Sequence, residues 1–174
     1  SIDLLDLSIR QYTQLAPEDA AHFLRSTHTA YKAPAAIEAY LRTRAQDNPV
    51  EAMTWQSSLS ADDPINQPDN AEIIMQEWSR TDSVAASTWL NDTPAGPQRD
   101  AAIVGFTSTM LDFEPEAAAA WSNTMTDPEA RVQQLNRSIQ HWARNQPVEA
   151  LEWVKTAELE PALRTALASE IGAD

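Results

Sequence analysis

The sequence predicts an all-α chain, an α-solenoid of about five antiparallel helix pairs preceded by an N-terminal helix, and three observations carry the prediction. A frame of the form Pro-x-x-Ala-x-x-aromatic recurs at Pro17/Ala20/Phe23, Pro49/Ala52/Trp55, Pro115/Ala118/Trp121 and Pro147/Ala150/Trp153, with Ser83/Ala86/Trp89 as a copy in which Ser replaces Pro. Its aromatic residues are spaced by 32, 34, 32 and 32. Between frames, apolar residues step by three and four, as in Ile103, Phe106, Met110 and Phe113 or Val132, Leu135, Ile139 and Trp142, which is the period of one helix face. No stretch alternates apolar and polar residues for long enough to make a buried strand.

Residues 2 to 14 place Ile2, Leu4, Leu5, Ile9 and Tyr12 at helical spacing, with Asp3 and Asp6 near the start, where the helix dipole favours acids. Pro17 opens the first framed helix, expected to end near Thr29, and Pro34 its partner, with Ile37, Tyr40 and Leu41 as the stripe. Pro49 opens a short helix, because serines, Asp62, Asp63 and Pro64 follow Trp55 closely, and the stretch from Ala61 to Asn70 reads as the longest, most acidic connection. Ile73, Ile74 and Trp78 belong to the next helix; Thr93-Pro94-Ala95-Gly96-Pro97 is a turn. Pro115 to about Thr124, a helix begun by Asp127-Pro128, Pro147 through Trp153, and a last helix from Glu160-Pro161 complete the order. Nearly all of the 11 prolines are helix starts, where a missing N–H costs nothing, rather than a sign of disorder.

Within each frame Ala and the aromatic residue are three apart and share a helix face. Ala permits close approach of a neighbouring helix, and the large ring fills the space beyond. One pair of about 32 residues cannot cover its own apolar faces, so copies stack. The expected domain is single, residues 1–174, with repeats at about 15–46, 47–80, 81–112, 113–144 and 145–174. The last helix, with Leu163, Leu167 and Ile171, is expected to leave an apolar face open, either for self-association or for residues beyond Asp174.

The frame resembles helix A of the tetratricopeptide repeat, which opens D-P-x-x-A-x-x-W. Asn48-Pro49-x-x-Ala52-x-x-Trp55 and Gln146-Pro147-x-x-Ala150-x-x-Trp153 come nearest to it, and the likeness extends over residues 12 to 171. The period of 32 and the missing Gly-x-x-Tyr after the Trp depart from that family. The resemblance implies a right-handed superhelix with a peptide-binding groove, lined by the residue two after each Trp. Here those positions hold Asn91 and Asn123, with Arg25, Ser57 and Lys155 in the other copies. Phe23, Trp55, Trp89, Trp121 and Trp153 are the structural anchors.

Composition narrows the function. With 12 Lys and Arg against 26 Asp and Glu the net charge is −14, and direct nucleic-acid binding lacks the clustered cations it requires. The absence of cysteine excludes disulfides and thiolate chemistry and suits cytoplasm and periplasm equally. No transmembrane run or signal-peptide pattern is present, and a start at Ser1 is expected of a processed or excised segment. His22, His28 and His141 are scattered, and the carboxylate pairs Asp62/Asp63, Glu114/Glu116 and Glu158/Glu160 lie at loops and helix starts, so no catalytic residue, metal ligand or cofactor is expected. Three glycines leave no phosphate-binding loop. Arg99, Arg131 and Arg164 recur early in second helices, where a cation opposes the dipole; an acid of the adjacent repeat, Glu129 or Glu160, is expected to compensate.

The leading expectation is a non-enzymatic scaffold that binds a protein or peptide. Two others stand beside it: an acidic inhibitor or immunity-type protein facing a basic partner through Asp62, Asp63, Asp69 and Glu72, and a helical accessory segment of a larger enzyme, like the superhelical domains of some cell-wall lytic enzymes. A stack of this kind sets an order of sensitivities. Trp121→Ala, in the interior, should cost about 3–5 kcal/mol and lower the melting temperature more than Phe23→Ala near the end, because interior anchors touch neighbours on both sides. Equal shifts in thermal melts would contradict the stack.

Overall fold

Proline sets where most helices begin. The computed structural model describes residues 4–26, 33–60, 62, 63, 66, 67 and 69–172, and within them eleven helices follow one another. They are α1 (Leu4–Leu15), α2 (Pro17–Ser26), α3 (Ala33–Asp47), α4 (Pro49–Ser58), α5 (Asn70–Thr81), α6 (Ser83–Asp92), α7 (Pro97–Met110), α8 (Pro115–Ser122), α9 (Pro128–Asn145), α10 (Pro147–Thr156) and α11 (Pro161–Ile171). Seven of the eleven open on proline, whose fixed φ suits the first helical position. Side chains complete several caps: Asn48 accepts from the Glu51 N–H at 3.1 Å, Asp82 from Ala85 at 2.9 Å and Asp127 from Ala130 at 2.8 Å. No strand occurs among the described residues, and no helix there is long and apolar enough to cross a membrane. The expected end of the first framed helix near Thr29 falls outside the described residues, since α2 is described to Ser26.

The odd-numbered helices form the denser side. α1 packs on α3, α3 on α5 and α5 on α7, whereas each even-numbered helix packs against its odd-numbered neighbours in sequence. The tightest crossing is α5 with α7, and Gly105 makes it possible. A Cβ there would lie 2.3 Å from the Glu72 carbonyl oxygen and 3.1 Å from the Gln76 nitrogen, so backbone rests on backbone. The five frame alanines, Ala20, Ala52, Ala86, Ala118 and Ala150, are all buried.

The frame aromatics sit differently from the expected core plugs. Trp55, Trp89, Trp121 and Trp153 are half-buried and Phe23 is exposed. Each leans on a ring from the preceding helix, with centroids 6.3 Å apart for Tyr12–Phe23, 5.1 Å for Tyr40–Trp55, 6.3 Å for Trp78–Trp89, 6.2 Å for Phe106–Trp121 and 6.4 Å for Trp142–Trp153. Tyr40, Trp78, Phe106 and Trp142 are the buried partners. The frame aromatic stands near the end of a helix of eight to ten residues, so its ring overhangs the contact instead of entering it. Offset and edge arrangements of this kind contribute about 0.5–1.5 kcal/mol beyond burial.

Two further expectations are corrected. Phe113 was placed on the inward stripe of α7, but α7 ends at Met110 and the turn that follows leaves Phe113 exposed while Leu111 is buried. The apolar face of the last helix is largely covered: Leu167 is buried, and Leu163 and Ile171 pack against the same cluster as Leu135, Ile139, Trp142 and Val154. That cluster is separate from the larger core running from Ile9 to Met125. Where α9 approaches the larger core, Ala130 packs against it and polar contacts stand beside it, with the Gln134 amide donating to Thr107 Oγ1 and the Ser122 and Ser138 hydroxyls 3.2 Å apart.

On α3 and α5, Glu77 accepts from Arg42, from Arg80 at 2.9 Å and from Gln46 at 3.2 Å. Burial pushes its pKa up, but the bonds from Gln46 and Arg42 and the nearby guanidinium charges prevail and hold it below the ordinary 4.5. Glu72 lies on the same helix without such bonds, and burial, aided by Asp69, raises its pKa above 4.5.

These features lead to two expectations. Gly105→Ala gains helix propensity of about 1 kcal/mol, but the displaced backbone should cost about 1–3 kcal/mol or more, so its melting temperature falls. Gly172→Ala, whose nearest atom would be an ordinary 3.5 Å away, leaves it unchanged. The two glutamates respond oppositely to pH. Glu77 is stabilised as the carboxylate, so its contribution is present above pH 4.5 and is lost as pH falls through its lower folded value. Glu77→Gln should therefore lower the melting temperature at neutral pH and matter less in acid. Glu72 is disfavoured as the carboxylate, so Glu72→Gln should raise the melting temperature at neutral pH, with the gain fading as pH falls through the raised value and the native side chain protonates.

Candidate functional site

Two opposite edges of the molecule differ in chemistry. Along the edge where even-numbered helices lead into odd-numbered ones, successive segments are stapled by polar groups. Arg25 bonds Asp63 at 2.6 Å, Gln98 donates to Ser57, and Arg99 donates to the Leu90 carbonyl at 2.9 Å and the Thr124 carbonyl at 3.1 Å while lying over the Trp121 ring. Asp100 accepts from the Thr126 and Asp127 N–H groups at 2.9 Å, Asn123 donates to the Glu158 carbonyl at 3.1 Å, and Arg131 bonds Glu160 at 2.6 Å.

This edge contains the residues that the resemblance marked for a partner. Arg25, Ser57 and Asn123 are engaged with neighbouring segments, whereas Asn91 and Lys155 are exposed. Among the described residues Asn91 reaches only the adjacent Asp92, at 3.4 Å. The expected compensation of the arginine row holds at Arg131, whose hydrogen bond also keeps Glu160 below the usual carboxylate range. Arg99 and Arg164 use carbonyl oxygens instead, Arg164 reaching those of Ala157 and Leu159. Of the expected acidic site, Asp62 and Asp69 are exposed, the Asp63 side chain is nearly covered in its pair with Arg25, and Glu72 is half-buried on α5 near Asp69. His141 meets Asp112 at 2.7 Å, His22 is exposed, and His28 lies outside the described residues.

Along the opposite edge, at the turns from odd-numbered to even-numbered helices, apolar side chains stand exposed: Leu15, Val50, Val84, Phe113 and Val148. A groove of about 600 Å³ on this edge, between the starts of α8 and α10, is lined by Phe113, Glu114, Glu116, Trp142 and Glu149.

The most elaborate polar cleft lies where α9 approaches α7. It has a volume of about 610 Å³ and is lined by Ser108 and Asp112 on the α7 side and by Gln133, Asn136, Arg137, Gln140, His141 and Arg144 on α9. A second cleft of about 510 Å³ between α9 and α11 shares Gln140 and Arg144 with it, so the two adjoin along α9. Sequence reasoning passed over these residues because it followed the apolar stripe of α9. The complementary signal was present: Gln133, Arg137, Gln140 and Arg144 step by 4, 3 and 4 on the opposite face. Among the described residues no group of acids and histidines could hold a metal ion.

What this architecture defines is an all-α protein of short proline-started helices with open polar clefts beside α9. No family model, no curated protein and no solved structure matches the chain.

The stapled edge predicts a difference between two chemically equal residues. Asn123→Ala should cost about 1 kcal/mol in urea unfolding, because it frees the Glu158 carbonyl, whereas Asn91→Ala should leave stability unchanged.

Proposed function

We propose that the protein is a non-enzymatic scaffold of stacked helical pairs, tetratricopeptide-like in its repeat, that binds an extended segment of another protein along α9. The observation that carries the reading is the unbroken polar stripe of α9 facing two adjoining open clefts. Side-chain amides such as Gln133, Asn136 and Gln140 carry both donors and acceptors and suit the N–H and C=O groups of an extended backbone. Volumes of 510 and 610 Å³ are in the range of sites that hold several residues or a small ligand. In this reading the odd-numbered helices form the inner side of the stack, since α1, α3, α5 and α7 pack on one another in turn and α9 packs on α11, with the groove opening between α7 and α9. The partner groove then belongs to them rather than to the framed helices that the family resemblance favours.

A second reading, a docking surface for a basic partner, draws on the exposed Phe113 and Val148 next to Glu114, Glu116 and Glu149. Selection from displayed linear peptides against the intact chain separates the two. The groove reading expects enriched peptides whose binding is lost in Gln133→Ala/Gln140→Ala and which protect α7 and α9 from amide exchange. Enrichment confined to basic peptides that protect the starts of α8 and α10 would overturn it in favour of the second.

A further inference from the structure

Arg137 and Arg144 line the α7/α9 cleft, and neither has a hydrogen-bonded or ion-paired partner among the described residues. That is unexpected in a chain with 26 acids and 12 bases, where Arg25, Arg42, Arg44, Arg80 and Arg131 all pair with carboxylates. Three acids along the cleft and its flanks accept from other groups: Asp112 meets His141, Glu170 accepts from Gln140 at 3.0 Å and Glu129 from Gln133 at 3.2 Å. Arg137 is close enough to Glu72 of α5 for their charges to interact, although burial and Asp69 outweigh it there. Two exposed guanidinium groups thus stand two helical turns apart on one face of α9 with their bidentate hydrogen-bonding capacity unused, and such forks match carboxylates best.

We propose that the cleft is a binding site for an acidic, extended peptide, with Arg137 and Arg144 each taking one carboxylate. This rests on the scaffold reading and adds the chemistry of the ligand. The two arginines are seven residues apart, which at about 1.5 Å per residue is about 10.5 Å along α9. A polyproline-type strand rises about 3.1 Å per residue and returns to the same face every third residue. Acids at positions i and i+3 of such a peptide therefore fall about 9 Å apart and meet both arginines, whereas adjacent acids point to different faces. The overall charge of −14 repels the same ligand at long range, so selectivity comes from contact within the cleft rather than from steering.

The test uses the intact chain and short labelled peptides in a proline-rich frame, read by fluorescence anisotropy. One carries Glu at i and i+3, one Gln at both positions, one two adjacent Glu residues, and one Lys at i and i+3. The spaced-Glu peptide should bind about tenfold tighter than the Gln peptide, a difference of about 1.4 kcal/mol, and tighter than the adjacent-Glu peptide. Arg137→Gln/Arg144→Gln should erase that difference with an unchanged melting curve, and Lys155→Gln, which alters an exposed cation outside the cleft, should preserve it. Equal binding of the Glu and Gln peptides, or an equal loss in Lys155→Gln, would overturn the acidic assignment. If the Gln or Lys peptide still protected α7 and α9 from amide exchange, the scaffold reading would stand without it. Absence of protection by every peptide would count against both.

Discussion

Backbone resting on backbone is the constraint on which the packing depends. Gly105 leaves no room for even a methyl group between α7 and the carbonyl of Glu72 on α5, and this closeness brings Ile74, Met75, Ile103 and Phe106 into one buried layer. A glycine inside a helix costs about 1 kcal/mol of propensity, which the dense contact on both flanks offsets. From this crossing the odd-numbered helices extend in order back to α1, and the frame alanines let each even-numbered helix settle onto them. Dispersion favours such contacts only at close range, so small residues at the crossings and large rings beyond them are two halves of one solution.

The two edges follow from how the chain turns. Odd-to-even turns are short, as at Ala16, Asn48, Asp82 and Gln146, and a proline or capping residue finishes them locally without help from a neighbour. Their outer residues are thus free to be Val or Phe. The even-to-odd connections 93–96, 123–127 and 157–160 carry carbonyl groups at helix ends that need donors. Arg99, Arg164 and Asn123 supply them from adjoining segments. Coupling between successive helical pairs accordingly runs through hydrogen bonds on one edge and through packed side chains in the middle.

Much of this was legible in the sequence. Pro and Asp-Pro positions marked helix starts, and the Ala of each frame marked the buried crossings, because both act within a single helix and need no knowledge of the neighbour. The half-burial of Trp55, Trp89, Trp121 and Trp153 was not legible, since it depends on how far each short helix reaches past the next. Their partner rings lie five residues before the frame at Tyr12, Trp78 and Trp142 but nine before it at Tyr40 and Phe106, an alternation that a search for one 32-residue period overlooks. The cleft beside α9 was hidden for a related reason. Its residues are polar and exposed, and only the gap between the two apolar clusters turns them into a lining.

That gap separates two apolar clusters joined through α8. The larger apolar core closes around α5 and α7 and a smaller one around α9, α10 and α11; α8 gives Ala118 to the first and Ala119 to the second, and the polar contacts of Gln134 with Thr107 and Ser122 with Ser138 lie beside it. Native-state amide hydrogen exchange across low denaturant concentrations tests this division most directly, because it resolves units that open separately. Amides in the middle of α5 and α7, such as those of Met75 and Phe106, should exchange only through global unfolding. Those of Ile139 and Val154 should open together at lower free energy, with a smaller dependence on denaturant. Identical free energies and denaturant slopes for both groups would show one undivided core and contradict it.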